Sequence, residues 1–454
     1  MDGAGQTLCL AVVLLVTTCL STCGRAPRGW NSYDSMDGYS PMMNETAVLQ
    51  IAAAQRAQLL YYGYDHVVLD AGWFWNITAS APHLDDFGRP LPDPERFPSS
   101  KGTNGLEILA RQVQDKGLKF GVWFLRGIPV QAVKDKLRIY GTQYTADQIA
   151  LPAAQCSWDN MNYGINTSHP AAMHYYRSIT DMFSSWGVDL IKADCFYGGE
   201  IHKDEVALFS QAVSQTTRTM TLSYSPGNGA NVTVAQWLVD NGYADTYRIT
   251  ADTWDSWTGA EGIAKQFPAA AAHAKLIGAG DMYPDLDLLP LGHLGHLSGS
   301  HSPPRSTRLT TVEQRTAMTL WCMARSPLMF GGKLPTDDLT LGLLTHKELL
   351  RLHEFSTGSH PVYQAGDAVV WHAVSTKPVT LVEHYVAFFN LAVDHSLTVA
   401  VNFTDLGLYS GQLYSVIDAW DSSNLGLYKD SFSATVYARG SGLYRVIKDL
   451  TPPS

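Results

Sequence analysis

The sequence predicts an α/β fold, a (β/α)8 TIM barrel over residues 25–358 followed by a C-terminal antiparallel β-sandwich domain over residues 359–454. Three observations carry that prediction. Short apolar runs alternate with helical patterns eight times, as parallel strands and their crossover helices do. Polar and acidic residues recur just past the ends of those runs, where a barrel collects its functional groups. Beyond about Tyr363 helical periodicity stops and short alternating strands replace it.

Residues 1–24 stand outside this fold and read as a signal peptide. The apolar run 8–20 has the length of a signal-peptide core and is too short to span a bilayer. The first strand opens at residues 29–33, and a helix follows over about 45–62. Residues 64–70 form the second strand, 105–116 the next helix and 118–125 the third strand. A long insertion holding Cys156 and Trp158 precedes a helix over 170–186. The fourth strand, 188–194, ends at Asp194 and leads into a helix at 204–217. Strands five and six fall at 220–225 and 246–250, and a helix over 259–275 leads to strand seven at 276–281. A helix at 310–324, strand eight at 326–330 and a helix at 345–355 complete the barrel. The sandwich strands are 369–374, 384–391, 397–403, 413–418 and 432–437.

The fourth strand organises the chemistry. Lys192 and Asp194 lie two residues apart at its end and so point to one side. An ammonium and a carboxylate there cost desolvation energy unless they pair or work. The segment 247–255 sets a second carboxylate, Asp252, just past a strand beside Arg248 and Trp254. Two carboxylates at one barrel mouth are the minimum equipment of a glycosidase, and acidic groups with Trp30, Trp73, Trp123 and Trp254 at several strand ends suit a polyhydroxylated ligand. A hard-cation site competes with that reading, and for each carboxylate the bland alternative is a structural ion pair.

Net charge is −10, with 42 acidic against 32 Lys and Arg residues, which argues against a nucleic-acid partner. No segment after the leader is long and apolar enough for a membrane helix. Of six cysteines, Cys9, Cys19 and Cys23 fall in or beside the leader. Cys156 and Cys195 are expected to form a disulfide, and Cys322, in a helical pattern, to be a buried thiol. Five N-x-S/T sequons, at Asn44, Asn76, Asn166, Asn231 and Asn402, favour a glycosylated, secreted protein. His293, His296 and His301 invite a metal reading, but without a carboxylate or Cys partner at a recognised offset they read as solvated loop histidines.

A family resemblance rests on motifs spread along the chain. Gly29-Trp30-Asn31-Ser32, Asp70-Ala71-Gly72-Trp73, Asp93-Pro94-Glu95-Arg96-Phe97-Pro98, Gly117-Leu118-Lys119-Phe120-Gly121, Lys192-Ala193-Asp194, Arg248-Ile249-Thr250-Ala251-Asp252, Asp285-Leu286-Asp287-Leu288-Leu289 and Ser326-Pro327-Leu328-Met329-Phe330-Gly331-Gly332 occur in order. Together they resemble the α-galactosidase (melibiase) group, glycoside hydrolase family 27, in a plant-type branch that includes β-L-arabinopyranosidases. The resemblance implies a retaining exo-glycosidase acting on terminal α-D-galactosyl residues, with β-L-arabinopyranosidase or dual activity as the alternative and a carbohydrate-binding pseudoenzyme behind both.

The same resemblance implies roles. Asp194 would be the nucleophile and Asp252 the acid/base, with carboxyl groups about 5–5.5 Å apart. Trp30, Asp70, Trp73, Trp123, Lys192, Ser225, Arg248 and Asp287 would bind substrate. Lys192 and Arg248 would keep Asp194 ionised, and burial or acidic neighbours would hold the proton on Asp252. Three positions depart from the family pattern: Ala71 replaces an Asp, Ser225-Pro226-Gly227 lacks an acidic specificity residue, and Lys333 replaces an Asp. No cofactor and no metal is expected. The expected partner is a galactose- or arabinopyranose-containing oligosaccharide or glycoconjugate, self-association would be as a homodimer, and the destination would be the secretory pathway, then the cell wall or medium, or a vacuole or lysosome.

Overall fold

The computed structural model describes residues 25–450 except 103–104, 198–199, 227–230, 296–302 and 378–380. The expected leader with Cys9, Cys19 and Cys23, and Gly227, His296 and His301, fall outside the described residues. Eight parallel strands form the first sheet: β1 (Arg28–Asn31), β2 (His66–Leu69), β3 (Lys119–Leu125), β4 (Leu190–Asp194), β5 (Thr221–Ser225), β6 (Thr246–Arg248), β7 (Tyr283–Asp285) and β8 (Leu328–Phe330). Their order is β7-β6-β5-β4-β3-β2-β1-β8. Leu289, just past β7, bridges Phe330 of β8 and so closes the ring. Its amide donates to the Met329 carbonyl at 2.8 Å, and its carbonyl accepts from the Gly331 amide at 3.2 Å.

Helices cover the ring: α1 (Glu45–Gln58), α2 (Glu107–Gln114), α3 (Ala171–Trp186), α4 (Lys203–Ser214), α5 (Val232–Asn241), α6 (Gln266–His273), α7 (Thr311–Met323), α8 (Asp338–Leu344) and α9 (Lys347–Glu354). Local chemistry sets their ends. Asn44 caps α1 by accepting from the Ala47 amide, and Thr310 with Glu313 forms a reciprocal capping box on α7. Gly187, at φ 81°, ends α3 in the left-handed region and turns the chain into β4.

The seventh strand departs from expectation. Residues 276–281 are not a strand; they fall in two short 3-10 turns, Ala274–Leu276 and Ala279–Asp281, and β7 follows at Tyr283–Asp285. Gly278 and Gly280 take φ of 74° and 60°, so the backbone there cannot be extended. An apolar run this short carries no periodicity to separate strand from turn.

The C-terminal region holds β9 (Ser356–Ala365), β10 (Ala368–Ser375), β11 (Glu383–Asn390), β12 (Leu397–Asn402), β13 (Leu413–Asp418), β14 (Asn424–Lys429), β15 (Ser431–Val436) and β16 (Ser441–Lys448). Six of them form an antiparallel sheet, β9-β10-β11-β16-β13-β14, and β12 pairs with β15 in a second layer. Alternation divides the work of the large sheet. Val370, Val386 and Phe388 face β12 and β15, while Trp371, Tyr385, Ala387 and Phe389 join the barrel core. Phe389 meets Phe267 of α6 edge-on, with ring centroids 4.9 Å apart. The sheet is therefore fused to the barrel by apolar packing. Among the described residues no helix is long and apolar enough to cross a membrane.

Candidate active site

The strand register assembles the site. Trp123 lies beside Lys192, and Asp194 beside both Leu125 and Ser225, in the β3-β4-β5 ladders. Asp70, Trp123, Lys192, Asp194, Ser225, Arg248, Asp252 and Asp287 all line one cavity of about 440 Å³. It opens where Asp252, Glu261, Ser157 and Trp158 are exposed and is floored by buried Asp34, Asp70, Trp123 and Asp287.

Asp194 is partly buried and firmly oriented. Its Oδ2 accepts from Trp123 Nε1 at 3.0 Å and its Oδ1 from the Cys195 amide at 2.7 Å. Burial pushes its carboxyl above the ordinary aspartate value, against the pull of Lys192, Arg248 and the Trp123 bond. Cys195 takes φ 60°, a costly conformation for a side-chain-bearing residue, and is bonded to Cys156 in the expected disulfide.

The two cations have other direct partners than Asp194. Lys192 Nζ lies 2.7 Å from Asp70 Oδ2, which also accepts from Asn31 Nδ2 at 2.7 Å. Burial opposes the Lys192 charge, but Asp70, Asp287 and Asp194 outweigh it and hold its pKa above the ordinary lysine value. Arg248 reaches Asp252 Oδ1 through Nη2 and Asp287 Oδ1 through Nη1, at 3.2 Å for the latter. Asp287 in turn accepts the Thr253 amide at 2.7 Å, tying the end of β7 to the loop after β6. Burial and the neighbouring Asp287 push Asp285 up to about 6.

Of the two causes expected to hold a proton on Asp252, burial or acidic neighbours, burial is not met: its side chain is 50% exposed, because the loop after β6 lies at the mouth. Trp30 and Trp73 do not reach the cavity either. Both are fully buried, with indole N–H groups donated to the backbone carbonyls of Gly332 and Trp123 at 2.9 Å each. A strand-end tryptophan in sequence does not say which side of the strand end its ring takes. Asp34 lies beneath the cavity with an unpartnered, buried Oδ2. Burial and Asp287 lift its carboxyl well above the ordinary range. Gly331 makes room for it, since a Cβ there would stand 2.0 Å from that oxygen.

Sequence reasoning missed Tyr33, Tyr39, Tyr197 and Glu261 in the lining. Tyr33 could have been found by its place just past β1. The others sit on loops whose path no periodicity dictates.

Residues 157–353 match the α-galactosidase A family, and residues 366–446 match the α-galactosidase C-terminal β-sandwich domain. A β-L-arabinopyranosidase of glycoside hydrolase family 27 from Geobacillus stearothermophilus superimposes with a TM-score of 0.86 at 34% identity, over 95% of this chain and 98% of that one. The chain belongs to glycoside hydrolase family 27. This family 27 chain is a glycoside hydrolase with the family's barrel and sandwich. Curated relatives include α-galactosidase 3 of Arabidopsis thaliana, 26% identical over 92% of this chain and 81% of its own length. The α-galactosidase of Coffea arabica is 26% identical over 92% of both chains.

Proposed function

We propose that this family 27 chain is a retaining exo-glycosidase in which Asp194 attacks the anomeric carbon and Asp252 serves as acid/base. One observation carries the reading: a carboxylate gripped by an indole N–H and a backbone N–H shares a cavity with a second, half-exposed carboxylate at its mouth. Asp194 Oδ bonds to the sugar as the glycosidic C–O bond breaks, and the leaving oxygen takes the proton of Asp252. Asp252 then removes a proton from water, whose oxygen displaces Asp194 and returns the sugar with its original anomeric configuration. Arg248 contacts Asp252 Oδ1 and so fixes where that carboxyl stands at the cavity mouth.

The sugar reading rests on Ala71. A methyl group there offers no acceptor for a hydroxyl arm, and β-L-arabinopyranose is α-D-galactose without its CH2OH group. The neighbour at 34% identity is named a β-L-arabinopyranosidase, and a variant of it was crystallised with arabinose. We therefore place terminal β-L-arabinopyranosides first. Terminal α-D-galactosides are the second reading, favoured by the relatives named α-galactosidases.

Passage through the secretory pathway is part of the same proposal. The Cys156–Cys195 disulfide suits an oxidising compartment, and Asn166, Asn231 and Asn402 are exposed sequon residues.

The test is turnover of paired nitrophenyl β-L-arabinopyranoside and α-D-galactopyranoside, with Asp194→Asn as control. Turnover lost in the control supports the reading, and the ratio of kcat/KM values assigns the sugar. Sugar binding without turnover of either would replace it with a lectin-like role.

A further inference from the structure

The exposed side of the cavity carries a feature that the hydrolysis of the first sugar does not use. Trp158 is 57% exposed, the only tryptophan among the described residues that is more exposed than buried; it nevertheless lines the catalytic cavity. Its ring lies 6.5 Å from that of Trp123, the planes tilted by 56°, so the two indoles form a step from floor to mouth. Trp123 is the residue that grips Asp194.

The loop beneath Trp158 is fastened on both sides. Cys156 is bonded to Cys195, the residue after Asp194, and Arg126 Nη2 donates to the Ala154 carbonyl at 2.5 Å. On the other side Asp159 accepts from the Met161 amide at 2.6 Å. The backbone that carries the indole is thereby tied to the segment that carries the carboxylate.

The leaving group must project toward solvent past Asp252, because the buried side of the cavity is closed by Asp34, Asp70 and Asp287. It therefore passes the exposed rim. Among the described residues that line the cavity the only cations are Lys192 and Arg248, which lie deep and are paired with Asp70, Asp252 and Asp287. The rim, with Glu261 on it, therefore offers an anionic leaving group no partner.

We infer that Trp158 is the platform of the leaving-group subsite, on which an uncharged group with a flat apolar face stacks, either the CH face of a second sugar or an aryl ring. The assignment rests on the glycosidase reading above and adds the class of leaving group to it.

The experiment compares wild type, Trp158→Ala and Trp158→Tyr on three substrates with one glycosyl unit: the glycosyl fluoride, the nitrophenyl glycoside and a disaccharide. Fluoride is too small to reach the indole. In Trp158→Ala the ratio of kcat/KM for a stacked substrate over the fluoride falls about 3- to 10-fold, and Trp158→Tyr restores most of it. A fall confined to the nitrophenyl glycoside identifies an aryl partner, and a fall confined to the disaccharide a sugar. Ratios unchanged for both overturn the proposal, as does an equal loss on all three, which would mean that Trp158 acts through Trp123 and Asp194. A wild type inactive on the fluoride as well would remove the glycosidase reading itself, an outcome distinct from either.

Discussion

Lys192 on β4 and Asp70, just past β2, meet with Nζ and Oδ2 2.7 Å apart, although β3 lies between the two strands. The pair spans the barrel floor and is almost wholly out of solvent, at 14% and 3% side-chain exposure. Replacing Lys192 by Met leaves Asp70 charged and buried beside Asn31, which costs about 3–5 kcal/mol of stability. The Asp70→Asn/Lys192→Met double variant recovers most of that loss but not the activity. Denaturant melts of the two variants beside wild type check this. Equal losses in single and double variants would contradict it.

Trp123→Phe removes the indole donor from Asp194 and leaves the packing on Phe74, which lies parallel to it at 6.2 Å. A hydrogen bond to a charged group is worth about 1.5–3 kcal/mol, so kcat/KM falls roughly 10- to 100-fold. The bond favours the ionised carboxylate, so its loss raises the Asp194 pKa. The acid limb of the pH–rate profile moves to higher pH. An unmoved limb would show that the bond does not act through Asp194.

Ala71→Asp restores an acceptor on the cavity wall. The ratio of α-D-galactoside to β-L-arabinopyranoside turnover rises about tenfold or more, measured as kcat/KM on the paired nitrophenyl glycosides. An unchanged ratio would place sugar choice elsewhere in the lining.

Acid stability is set in part in the sandwich. His372 is buried and lies with Nε2 2.9 Å from Nδ1 of His384, and His360 stands against it from β9. Burial, with those two imidazoles, lowers its pKa to about 3. The unfolded chain takes up a proton near pH 6.5 that the folded chain refuses, so stability falls as pH drops from about 6.5 toward 3, by about 2–3 kcal/mol at pH 4.5. His372→Phe flattens that slope in melts between pH 7 and about 4. A slope unchanged by the substitution would exclude this histidine as its source.

Asp255 clamps the loop that carries Asp252. It accepts from Arg305 Nε and Nη2 and from Arg308 N, Nε and Nη2, at 2.6–3.1 Å, with its carboxylate fully buried. Burial alone would raise its pKa, but these bonds outweigh it and hold the carboxyl below the ordinary range. Asp255→Asn removes the buried charge that Arg305 and the largely exposed Arg308 both contact, costs about 1.5–3 kcal/mol and lowers kcat through the displaced Asp252. Single-turnover rates and melts on one preparation check both effects. An unchanged kcat would mean that the clamp does not position the acid.

Strand existence was legible because a buried parallel strand is a continuous apolar run, and β4 with its Lys192 and Asp194 stood out for that reason. The polar partners were less so. That Lys192 would choose Asp70 across β3 depends on side-chain reach inside the ring, which spacing along one strand does not encode. Strands β9 and β14 went unread because they are exposed edges interrupted by glycine, at Ser356–Ala365 and Asn424–Lys429, and β16 (Ser441–Lys448), interior to the sheet, because Gly442 and Arg445 blur its alternation. Helix α5 went unread because its cap, Asn231, sits beside a glycine-rich stretch that reads as loop.

The central claim is that Asp194 forms a covalent bond to the sugar. A fluorinated glycoside whose second step is slowed should trap that bond, and peptide mass spectrometry should place the adduct on Asp194 and find none in Asp194→Asn. An adduct on another residue, or inversion of the anomeric configuration in the first-formed product, would contradict it.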